Sequence, residues 1–97
     1  MEQSVVQFAV TEARAVSSRF PGSDWYLFGS SARNPEDAGD IDLLIVHDGT
    51  IESTRLRTEL AALCMALPLH LTILTRAEES ELNFIARADG CRKIGHP

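Results

Sequence analysis

The segment Asp40-Ile41-Asp42-Leu43-Leu44-Ile45-Val46 most restricts what this chain can fold into. Side chains alternate across a strand, so Ile41, Leu43 and Ile45 share one face, and Asp40, Asp42, Leu44 and Val46 the other. A strand with one wet side would keep polar residues at every second position. The second half of this one is apolar on both sides, which predicts a central strand covered above and below. That calls for strands beside it and helices over it.

The flanking sequence supplies both. A first helix is expected from Ser4, which can cap the free amides, with Val5, Ala9, Ala13 and Val16 as its apolar stripe. Phe20-Pro21-Gly22 ends it, and Trp25-Tyr26-Leu27-Phe28 reads as a short strand stopping at Gly29. Ser30 to Arg33 can make one helical turn before Asn34-Pro35. After the Asp48-Gly49 turn, Leu56, Leu60, Leu63 and Leu67 recur at helical spacing, Pro68 stops the helix, and Leu69 to Leu74 forms a third strand. Thr75-Arg76-Ala77-Glu78 matches a capping box, opening a helix with Leu82, Ile85 and Ala86 inward and Gly90 just past its end. Residues 91–97 add a short edge strand or fray. The predicted order is α-β-(turn)-β-α-β-α, a small sheet with helices covering it, in one domain over residues 1–97.

Composition excludes several function classes. The 97 residues carry a net charge of −5, which argues against non-specific nucleic-acid binding, and the Arg92, Lys93, His96 tail is too short to reverse that. The apolar run from Leu60 to Leu67 is far short of the ~18 residues of a membrane span. Met1-Glu2-Gln3 lacks the basic-then-apolar order of a signal peptide, so a soluble, cytoplasmic protein is expected. Cys64 lies in an apolar helical stretch and reads as a buried thiol, with no disulfide to Cys91. Trp25 and Tyr26 read as core and rim, Arg55 and Arg57 as helix surface, and His47 as loop.

Two features carry chemistry. In Leu27-Phe28-Gly29-Ser30-Ser31-Ala32-Arg33, a strand ends in glycine and hydroxyls and leads into a helical turn. Unpaired N–H groups at such a turn favour phosphate, Gly29 lets backbone approach a ligand, Ser30 and Ser31 add hydroxyls, and Arg33 reads either as a planar fork of donors for phosphate or as a surface arginine. In Asp40-Ile41-Asp42 the two carboxylates share a face with Cα atoms ~6.5–7 Å apart, so their oxygens can converge on cations. Oxygen donors of this kind suit magnesium or manganese.

Gly29-Ser30 followed by Asp40-Ile41-Asp42-Leu43-Leu44-Ile45 resembles the signature of the DNA polymerase beta-like nucleotidyltransferase superfamily, and Phe28-Gly29-Ser30-Ser31-Ala32-Arg33 is similar to the first motif of its minimal, stand-alone branch. The resemblance implies a mixed sheet with an NTP, ATP first among them, and Mg2+ or Mn2+ lying over Gly29, Ser30, Asp40 and Asp42. It also implies transfer of a nucleoside monophosphate to a hydroxyl with release of pyrophosphate. The minimal branch includes antitoxins paired with small helical toxins, so a protein partner such as a toxin, or a second copy of the chain, is a further expectation. An alternative within the same resemblance is an antitoxin-like module acting by contact. These enzymes usually carry a third carboxylate on the next strand. Here His70 or Thr72, depending on frame, takes that position. His70 then reads either as a base for the acceptor hydroxyl or as a histidine hydrogen-bonded inside the sheet. Glu78, Glu79 and Glu81 follow the strand, Glu78 as a cap and the others as solvated residues, with a substitute carboxylate among them as the other reading.

Overall fold

The computed structural model describes residues 5–34, 39–49, 51, 53–87 and 90–95. The elements run α1 (Val5–Ser17), β1 (Ser23–Phe28), α2 (Ser30–Arg33), β2 (Ile41–His47), α3 (Ser53–Ala66), β3 (Leu69–Thr75), α4 (Arg76–Leu82), α5 (Phe84–Arg87) and β4 (Arg92–Gly95). They build one four-stranded mixed sheet in the order β3-β2-β1-β4. β1 pairs antiparallel with β2 and with β4, while β2 pairs parallel with β3 through the α3 crossover. Arg92–Gly95 thus forms an edge strand, with a register shift between Trp25 and Tyr26, and residues 96–97 lie outside the described residues.

β2 is central and covered on both faces, as its alternation predicts. Ile41, Leu43 and Ile45 join Val6, Ala9, Ala13 and Val16 of α1 and Leu56 and Leu60 of α3 in the larger core. Leu44, Val46 and Leu74 form a smaller one under Phe84 and Ile85. Trp25 and Leu27 are fully buried, whereas Tyr26 and Phe28 are half-buried on the α5 side.

Several expectations need correction. The α1 stripe runs through Val6, not Val5, which is exposed; the proposed cap Ser4 lies outside the described residues. The last helix is broken. Asn83 takes the left-handed conformation (φ 55°) and its N–H closes on the Glu79 carbonyl, ending α4 before α5 begins. That turn leaves Leu82 half exposed, and Ala86 exposed too, while Phe84 meets Phe28 edge to face at 5.1 Å. His47 is no loop residue: it ends β2, buried, with Nδ1 accepting from the Gly49 N–H at 3.1 Å.

The capping box is present. The Glu78 N–H donates to Thr75 Oγ1 (3.1 Å) and the Thr75 N–H to Glu78 Oε1 (2.9 Å), which holds the Glu78 carboxyl below its usual range. Glu79 is not simply solvated, since its Oε2 accepts from the Ile85 N–H at 3.0 Å and so starts α5. Cys64 and Cys91 are free and half-buried, and burial pushes both thiols up. Among the described residues no helix is long and apolar enough to cross a membrane.

Asp24 ties three elements together at the end of the sheet remote from Gly29. It receives Arg76 at 2.8 Å and Lys93 at 3.1 Å, and Arg76 also reaches the Gly22 carbonyl. Partial burial pushes the Asp24 carboxyl up, but the hydrogen bonds and charges of Arg76 and Lys93 outweigh it and hold the group below its ordinary value. A lowered folded-state value contributes stability above the unfolded value near ~3.9 and loses it as pH falls through the folded value. Both cations are about half exposed, so the effect is small. Asp24→Asn is expected to cost ~0.5–1 kcal/mol at neutral pH in denaturant unfolding, and the gap to wild type to close below about pH 4.

Candidate active site

β1 ends where β2 begins. Phe28 pairs with Asp42, so the turn leaving β1 and the carboxylate opening β2 are neighbours by register. At Gly29 the backbone has φ 66° and ψ −149°, a conformation open essentially to glycine alone. A Cβ built on Gly29 would lie 2.9 Å from Asp42 Oδ2. The carboxylate therefore rests against bare backbone at the point where the chain turns into α2.

α2 is a single turn, with the Ala32 and Arg33 N–H groups both closing on the Gly29 carbonyl at 3.2 Å. Its macrodipole is small; what it offers is the first-turn N–H groups of Ser30 and Ser31, which have no helical acceptor. The Ser30 side chain is exposed at this turn. Ser31 is fully buried. Its hydroxyl donates to the Phe28 carbonyl at 2.9 Å and accepts from the Asp42 N–H at 3.2 Å. The Ser31 hydroxyl, expected to serve a ligand, instead bolts the turn to the strand carrying Asp42. Burial separates the two serines, and their adjacent positions in the sequence give no sign of it.

Asp40 stands one residue before β2, exposed, and Asp42 is half-buried. His70 pairs with Asp42, and Thr72 with Leu44, so the position beside the carboxylates belongs to His70. It is not sequestered within the sheet: its side chain is 65% exposed, and Nε2 lies 3.7 Å from Asp40 Oδ1. Arg33 is exposed at the end of α2, its Cγ packed beside Gly90. Gly29, Ser30, Arg33, Asp40, Asp42 and His70 thus gather round one end of the sheet. Glu78 and Glu79 are committed to helix caps instead.

Among the described residues, no three His, Cys, Asp or Glu side chains form a group that could hold a metal ion. Magnesium asks less of a protein than that, since one or two carboxylates suffice when phosphates and water fill its other positions. Asp42 beside a turn with no side chain, and Asp40 on the open side, fit this two-carboxylate demand.

A sequence model of the nucleotidyltransferase domain family matches residues 13–91, most of the chain, and the protein belongs to that family. The match runs from within α1 to the residue before β4 and includes both motifs. No curated protein matches the chain significantly.

Three substitutions separate support from ligand contact. Gly29→Ala combines backbone strain with collision against Asp42 and is expected to destabilise by ~1–3 kcal/mol. Ser31→Ala removes two buried hydrogen bonds and should cost a similar ~1–3 kcal/mol without any nucleotide present, whereas Ser30→Ala should leave stability within ~0.5 kcal/mol of wild type. Urea unfolding of the three variants checks both statements.

Proposed function

We propose that this chain binds a nucleoside triphosphate, ATP first among candidates, together with Mg2+ or Mn2+, and transfers the nucleoside monophosphate to a hydroxyl. The observation that carries the reading is the seating of the Asp42 carboxylate against the bare backbone of Gly29, which joins the two family motifs in one place. The Ser30 hydroxyl and the first-turn N–H groups would receive phosphate oxygens, and Arg33 would add a charged fork. Asp40 and Asp42 would hold the cation, which when bound neutralises phosphate charge and steadies the departing pyrophosphate. His70, exposed beside Asp40, would accept the proton of the acceptor hydroxyl as its oxygen bonds to the α-phosphorus. Exposure of Asp40 and His70 leaves the acceptor side open, which suits an acceptor on a large partner.

A second reading has its own observation. His70 is the β3 residue paired with Asp42, which supports reading an imidazole at the position where the resembled enzymes usually carry a third acid. With two carboxylates alone, the protein would act mainly by contact, as an antitoxin-like module on a toxin. In that case the Asp40→Ala/Asp42→Ala variant should still bind and neutralise its partner.

The deciding experiment uses each of the four NTPs labelled at the α-phosphate, with Mg2+ or Mn2+, in the presence of cell extract. Label is expected to pass to an acceptor, and the double variant to lose more than ~100-fold of the rate, beyond the 10–100-fold carried by residues that merely support a metal ligand. Absence of both transfer and metal-dependent NTP binding in the wild-type protein would falsify the nucleotide reading.

A further inference from the structure

Gly90 opens the turn into β4 with φ 68°, and it sits where a side chain has no space. A Cβ there would fall 2.5 Å from Arg33 Cγ and 3.3 Å from Arg33 Cδ, and 3.7 Å from the Gly29 carbonyl oxygen. The crowded atoms belong to the base of the arginine stem, so the collision cannot be relieved by swinging the guanidinium alone. The same carbonyl accepts the two N–H bonds that close α2. β4 then pairs back onto β1, with Arg92 opposite Leu27, so the turn at Gly90 is anchored to the strand that leads into Gly29.

We propose that Gly90 is a positioning residue for Arg33, and that the chain leading into β4 is thereby part of the nucleotide-binding apparatus although it touches no nucleotide. The flat surface of Gly90 is the wall along which the Arg33 stem lies. A methyl group on that wall turns the stem away and carries the guanidinium off the phosphate turn. The inference rests on the nucleotide reading above. It adds a residue far along the chain, outside both motifs, that sets how well Arg33 works.

The test is a double-mutant cycle with Arg33→Ala, Gly90→Ala and the two combined, read by binding of a fluorescent ATP analogue with Mg2+ and by melting temperature. Gly49→Ala is the control, because Gly49 also has positive φ (98°) but open space where the Cβ would go. Arg33→Ala and Gly90→Ala are each expected to weaken binding roughly tenfold, as loss of a charged hydrogen bond does, with the double variant no weaker than the worse single one. Gly49→Ala should lower the melting temperature and leave affinity alone. In melting temperature, Gly90→Ala should cost less on the Arg33→Ala background than on wild type, because the obstructed stem is gone. If Gly90→Ala does not fold, the double variant should.

Additive losses of affinity, or wild-type affinity in Gly90→Ala, would overturn the proposal while the nucleotide reading stands. Equal melting costs on both backgrounds, or a double variant that also fails to fold, would overturn it too. A wild-type protein that binds no ATP analogue removes the nucleotide reading itself, and the positioning role with it.

Discussion

Burial of β2 on both faces governs the arrangement of everything else. Ile41, Leu43 and Ile45 are held beneath α1 and α3, and Leu44 and Val46 beneath α5, so the strand can neither slip nor turn over. A shift of one residue would exchange every side chain between faces and drive Asp42 toward the larger core. The depth of the apolar half therefore fixes where the carboxylate half emerges. β1 and β3 then take their registers from β2, and these deliver Phe28 with its turn to one flank of Asp42 and His70 to the other.

Much of this was legible in the sequence, because strong patterns report on burial directly. The two-sided apolar run of β2, the leucine spacing of α3 and the Thr75–Glu78 capping box all correspond to elements in the fold. The sequence read less well where tertiary contacts override a local pattern. Val5 and Val6 fit a helical stripe almost equally, and only packing against the sheet selects Val6. Leu82, Ile85 and Ala86 suggest one continuous helix, but the Phe84–Phe28 contact and the Glu79 cap favour a break at Asn83, a residue type that tolerates the left-handed conformation.

The site was readable to a similar depth. Gly29, Asp40 and Asp42 stand out in the sequence by residue type and spacing, and the fold brings them to one end of the sheet. The sequence could not distinguish Ser30 from Ser31, since a hydroxyl facing solvent and one bolting two strands are spelled alike. Nor could it place Gly90 against Arg33, a contact that exists only once β4 has paired with β1. His70 required the register, which shows it to be the neighbour of Asp42 and open to solvent.

β1 and β2 pair antiparallel and are joined by residues 29–40, whereas β3 joins β2 only after residues 48–68, the whole α3 crossover. The glycine turn and both aspartates therefore travel as one local piece of chain, whose ends close at low entropic cost. The residue beside them on β3 comes from a separate stretch and reaches its place only through long-range pairing. The third neighbour of the mouth therefore depends on long-range pairing in a way the first two do not, and an imidazole stands there on a strand of its own.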